Sequence, residues 1–260
     1  MEEPKKVPAK LVNPIDYRLV LLIFVAAIGL QVYLYALPDA DADSEYAIAT
    51  ISALNPLAAS IMAFIVSKRY HGSEVFGKAY FALGLAMLMI FLGEITYSVY
   101  DFVLDEEPYP SIADLFFLLA YPLFFYHLQK NIRFFKAKIN LAIKSLIVVI
   151  PLSIISAYSV LSISELGEAS FDFYYGLLYV IGSSIVATAA ILGAIVFRQG
   201  VLGTAWLVLA IGLLLNSAGD SWYTYLEIFG QYSLVHPVNL LWYSSYWVIV
   251  YSLFKHKDII

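Results

Sequence analysis

The chain has 260 residues, 62% of them hydrophobic and 13% charged, with a mean hydropathy of +0.80. Soluble domains average roughly 45–50% apolar and 25% charged residues, so this is the composition of a membrane protein. The net charge of −5 argues against a nucleic-acid surface, and the lack of cysteine excludes disulfides, iron–sulfur clusters and thiolate zinc sites.

Taken in order, residues 1–17 form a short, charged, proline-bearing leader on the cytoplasmic side. The apolar run 19–37 exceeds the 7–15 residues usual for a signal-peptide core and reads as span 1. The acidic loop 38–45 leads into span 2, residues 46–67. An interruption is expected there at Asn55-Pro56, because proline removes a helix hydrogen bond and lipid offers the freed carbonyl no partner. Loop 68–78 precedes span 3 (79–103), the turn 105–110 precedes span 4 (112–129), and the basic connection 130–138 precedes span 5 (141–163). After loop 164–172, span 6 (173–197) carries Gly182-Ser183-Ser184 near its middle, close to the repeat equivalent of Asn55-Pro56. Spans 7 (203–228) and 8 (237–254) complete an all-α, polytopic fold of eight transmembrane helices, ending at the basic tail KHKD.

The loops test that count. Lysines and arginines fall in the leader, in the 2–3, 4–5 and 6–7 loops with their adjoining turns, and in the tail. The other loops hold Asp39, Asp41, Asp43, Glu45, Asp105, Glu106, Glu107, Glu165, Glu168 and Glu227, and no base. The positive-inside rule then puts both termini in the cytoplasm, in a cell (plasma) membrane.

One stretch repeats. Gly93-Glu94, Tyr97 and Asp101 recur 126 residues on as Gly219-Asp220, Tyr223 and Glu227. With one residue of slippage, Asp114, Tyr121 and Tyr126 fall on Asn239, Tyr246 and Tyr251. The expectation is two four-helix repeats in one membrane domain, 18–138 and 139–260, related by a pseudo-twofold axis along the membrane normal.

The repeated positions are polar, and an intramembrane acid marks a functional site by default. Helical spacing puts 94, 97 and 101 on one stripe, as it does 220, 223 and 227, then 114 and 121, and 239, 243 and 246. Alternating orientation brings all of these to the outer half of the bilayer, facing inward. The expected ligand-binding set is Glu94, Tyr97, Asp101, Asp114, Tyr121, Asn216, Asp220, Tyr223, Asn239 and Tyr246. Every Lys and Arg is on the other side, so these acids take up a proton, accept several hydrogen bonds or bind an outside cation. One reading makes Glu94 and Asp220 neutral acids bonded to tyrosine hydroxyls, as interhelical glue. Another makes them a pocket for a cationic or polar small ligand, since acids ringed by aromatics hold organic cations.

No catalytic residue, metal site or cofactor is expected. His71, His127 and His256 lie on the cytoplasmic side and His236 alone outside, a poor set for a metal. Tyr100-Asp101 and Gly219-Asp220 resemble the paired aspartates of presenilin-type intramembrane proteases, but Ser217 replaces the first glycine of the GxGD motif. The repeat also pairs Glu94, rather than Asp101, with Asp220.

Glu94 followed by PSIADLFFLLAYP (110–122) resembles the multi-pass membrane sensor module found ahead of diguanylate cyclase (GGDEF) and phosphodiesterase (EAL) domains in bacterial signalling proteins. The similarity covers spans 3 and 4 best and spans 7 and 8 less well. It implies a receptor-like function and carries over no ligand or catalytic residue. With the chain ending at Ile260, no attached output domain is expected, and sensing would pass through a separate protein partner. A small-solute or proton-coupled transporter, suggested by weak points in spans 2 and 6, and a structural subunit of a membrane complex are the alternatives.

Overall fold

A computed structural model describes residues 15–36, 42–106, 108–134, 141–197, 203–233 and 235–257. Most of the leader, the centre of the acidic loop (37–41) and the end of the basic connection (135–140) lie outside these residues. The described residues form eight α-helices and no strand: α1 (Tyr17–Tyr35), α2 (Ala42–Arg69), α3 (Phe76–Val99), α4 (Ile112–Phe134), α5 (Leu141–Leu166), α6 (Phe171–Phe197), α7 (Gly203–Ile228) and α8 (Asn239–Lys257). Apolar residues surround each helix on all sides, and in lipid only a helix satisfies its own backbone groups. Seven of the eight, α1 to α7, are long and apolar enough to cross a bilayer. In α8, Ser244, Ser245 and Ser252 lower the hydropathy, and all three are buried against other helices.

Six helices close a ring. α2 packs on α3, α3 on α4, α4 on α6, α6 on α7, α7 on α8, and α8 returns to α2. α5 leans on the outside of α6 and, less closely, on α7; α1 leans on the outside of α8. The ring interior is a dense apolar core that includes Leu83, Met87, Phe124, Leu209, Leu213 and Ile249, all essentially inaccessible.

The two ends of the ring differ. At one end the backbone N–H of Asp16 donates to the Tyr251 hydroxyl (2.8 Å), and Arg18, Lys68, Arg69, Lys78, Arg133 and Lys255 flank the helix termini there. At the other end Gln31 Nε2 donates to the Val235 carbonyl (2.6 Å), and the rings of Tyr46 and Phe102 meet at a tilt of 38° with centroids 4.6 Å apart.

Two local features depart from the sequence reading. The expected break at Asn55-Pro56 does not occur: α2 runs through Pro56, and Asn55 instead accepts a hydrogen bond from Trp247 Nε1 of α8 (3.0 Å). Likewise α6 is continuous through Gly182-Ser183-Ser184. Gly182 gives way to the Tyr121 ring, which a Cβ would strike, and both serines bond to carbonyls of their own helix. The third feature has no counterpart in the sequence pattern: α3 ends in a π-helical turn, Tyr100–Leu104, closed by Asp105 at φ 54°. Such turns are rare and often accompany functional sites.

Candidate functional site

The ring encloses a cavity of about 150 Å³ at the end away from the basic residues. All ten residues singled out above line it, drawn from α3, the π-helical turn, α4, α7 and α8. Ser52 of α2, Tyr179 of α6 and Tyr232 of the α7–α8 turn join them, along with Ser98, Tyr109, Phe117, Trp242 and Tyr243. Ser52, Tyr179 and Tyr232 lie off the stripes of repeated acids. Glu227, the repeat partner of Asp101, stays exposed and does not line the cavity.

The acids in the wall are held differently. Asp114 is the third residue of α4 and completes a capping box: the Ser111 backbone N–H donates to Asp114 Oδ2 (2.7 Å), while Ser111 Oγ accepts from the Ala113 N–H (3.1 Å). Its other oxygen accepts from the Tyr179 hydroxyl, which ties α4 to α6. Asp220 of α7 is also engaged on both oxygens, accepting from Trp242 Nε1 of α8 (2.9 Å) and from the Tyr121 hydroxyl of α4 (3.1 Å). Each of these side chains joins helices, as polar groups in membranes often do.

Glu94 is different. Its backbone carbonyl accepts from Ser98 Oγ (2.8 Å), but among the described residues its carboxylate has no hydrogen-bond partner. The surroundings show why. Gly93 lets the Phe117 ring lie against α3, where an added Cβ would sit 2.5 Å from it; Gly219 does the same for the Trp242 ring at 2.6 Å. The indole carries an N–H for Asp220, whereas the phenyl ring has nothing to offer Glu94.

Around Glu94 the wall is aromatic. Tyr232, Tyr243 and Tyr246 stand within electrostatic reach of its carboxylate, and Tyr223 packs edge-on against Tyr232 at 4.8 Å. Two deeply buried polar groups of the wall, Asn216 Nδ2 and the Tyr243 hydroxyl, find no hydrogen-bond partner among the described residues; Tyr246 and Ser52 lie beside them outside bonding geometry. Among the described residues, no Lys, Arg or His lines the cavity. The field at its rim is negative. In the turns above it, the Tyr109 and Tyr232 hydroxyls are pushed above the ordinary tyrosine range, mainly by burial and then by the Asp114 and Glu94 carboxylates respectively.

His236 does not reach the acids; its Nδ1 accepts the Val238 N–H (3.1 Å) before α8, and its ring meets Trp222. His127 and His256 are buried at the opposite end of the ring in an aromatic cluster with Tyr80 and Trp206. Leu83, Met87, Leu209, Leu213, Ile249 and Leu253 separate that cluster from the cavity. Among the described residues, no three His, Asp or Glu side chains converge as a metal site. The chain matches no protein-family model, no curated protein and no solved structure, so its site is read from its own geometry.

Proposed function

We propose that the protein is a receptor-like binding module of the cell membrane whose cavity opens to the outside. Both termini are cytoplasmic, and α8 is the eighth span. The observation that carries this reading is the convergence of the ten residues on one cavity whose wall holds, among the described residues, the half-buried Glu94 carboxylate without a hydrogen bond and two buried polar groups without one, Asn216 Nδ2 and the Tyr243 hydroxyl. A buried polar group without a partner is costly, and in a cavity a ligand is one way to satisfy it.

The two-quartet organisation belongs to the same proposal. Exchanging α2, α3 and α4 for α6, α7 and α8 maps the order of the ring onto itself. Smaller correspondences support it. His127 Nδ1 bonds the Ala79 carbonyl (2.8 Å) and Ser252 Oγ bonds the Ala205 carbonyl (2.8 Å), each pair at the repeat offset from the other. Tyr80 and Trp206, also at that offset, meet with ring centroids 5.5 Å apart. The outward opening draws support from the basic residues at the far end, and sensing from the likeness of residues 110–122 to modules ahead of signalling domains. Transport loses its sequence motive, because α2 and α6 are unbroken and an apolar layer closes the ring below the cavity.

The cysteine-free sequence makes a clean test possible. Ser98→Cys, in the cavity wall, is expected to react with a membrane-impermeant maleimide on intact cells. Lys68→Cys, at the basic end, is expected to react only after permeabilisation. Labelling of Ser98→Cys only in permeabilised cells, or in neither condition, would overturn the outward pocket.

A further inference from the structure

We infer that the ligand class of this cavity is a small organic ammonium ion, with its charge against the Glu94 carboxylate and its body against tyrosine ring faces. The inference rests on the outward-pocket reading above and narrows it to one chemistry.

Four observations carry it. The first is sign. Among the described residues, four carboxylates and no base line the cavity, so an anionic guest would be repelled and a cation drawn in. The second is vacancy of partners. Asp114 and Asp220 already accept bonds on both oxygens from within the ring, whereas Glu94 accepts none on its carboxylate from the described residues. The charge–charge contact therefore falls to Glu94 in α3, with Asp101 of the π-helical turn two turns further along the same stripe.

The third is the character of the wall. Tyr232, Tyr243 and Tyr246 line the same cavity as Glu94 and lie within electrostatic reach of it, and ring faces attract organic cations. A hard metal ion instead asks for six or more oxygen ligands, and two of the four carboxylates, Asp114 and Asp220, are already bonded within the ring. The fourth is size and polarity. A cavity of about 150 Å³ admits a molecule near the size of benzene. The unpartnered Asn216 Nδ2, only 3% exposed, and the Tyr243 hydroxyl, 1% exposed, ask for an acceptor oxygen on that molecule. A short alkylammonium bearing a hydroxyl meets all four conditions.

The test uses the full-length protein in lipid nanodiscs with three probes: choline, ethanolammonium and 3,3-dimethylbutan-1-ol, the uncharged isostere of choline. Thermal unfolding midpoints and titration calorimetry read the binding. The two ammonium ions are expected to raise the midpoint, and the isostere to bind at least tenfold more weakly than choline. Glu94→Gln should weaken choline at least tenfold, about 1.4 kcal/mol, whereas Glu94→Asp keeps more of the affinity. The inference is overturned if the isostere matches choline, if equimolar sodium or potassium chloride gives the same shift, if Glu94→Gln binds as wild type, or if no ammonium probe binds. The comparison of choline with its isostere needs only the wild-type chain, so a variant that fails to fold leaves the test intact. Maleimide labelling of Ser98→Cys involves no ligand, so an accessible pocket that ignores ammonium ions would sink this inference alone.

Discussion

Two Gly-acid pairs, Gly93-Glu94 and Gly219-Asp220, sit on opposite helices of the ring and look alike in the sequence, yet they have separate fates. In both, glycine admits an aromatic ring against the helix. At Gly219 that ring is Trp242, and its N–H, together with the Tyr121 hydroxyl, makes Asp220 a joint between α4, α7 and α8. At Gly93 the ring is Phe117, and Glu94 is left facing the cavity. A single difference in ring chemistry separates a carboxylate that holds helices together from one that faces the cavity without a bond from the described residues.

That contrast can be broken in several ways. The largest effect is expected where a glycine makes room for a bonded ring. Gly219→Leu should destabilise the protein by about 3 kcal/mol, since its Cβ would sit 2.6 Å from the Trp242 ring and push the indole off Asp220; a wild-type unfolding midpoint in a denaturing-detergent titration would refute the close approach. Next comes Asp220→Ala, which strands the Trp242 and Tyr121 donors. Two membrane hydrogen bonds at about 1 kcal/mol each predict a loss near 2 kcal/mol in the same titration. Trp242→Phe removes one of those bonds and should cost about 1 kcal/mol. Phe117→Trp, which offers Glu94 a donor, should act in the opposite direction by about 0.5 kcal/mol. If both ring exchanges moved stability the same way, the contrast between the acids would fail. The smallest effect belongs to Glu94→Gln. With no partner to lose, its unfolding midpoint should correspond to a change within about 0.5 kcal/mol of wild type, and a loss as large as that of Asp220→Ala would make Glu94 a second joint.

Much of this arrangement was legible in the sequence, because a bilayer leaves the chain few options. Apolar runs of helical length, separated by charged loops, marked all eight helices to within a few residues; span 3 (79–103), for example, became α3 plus the π-helical turn. Helical spacing of the polar positions then brought all ten chosen residues to one cavity. The misses have physical causes. Proline at 56 suggested a break, but α2 stays continuous and Asn55 is engaged by Trp247. Ser111-x-x-Asp114 is a capping-box pattern visible in the sequence, but the stripe of polar positions alone does not reveal it. Tyr179 and Ser52 carried no signal of their own, since a lone polar residue on an apolar helix does not say which neighbour it will face. The π-helical turn was illegible because it leaves the hydrophobic pattern unchanged.

The closure of the ring also sets the order in which the protein completes itself. α1 and α2 both find lasting neighbours in α8, yet about 200 residues of chain separate the end of α1 from the start of α8. At a synthesis rate of roughly 5–20 residues per second, the first helix waits about 10–40 s in the bilayer before its final neighbour emerges. During that interval α8 is still on the ribosome, and its face of α2 must be covered by lipid or by an insertion factor.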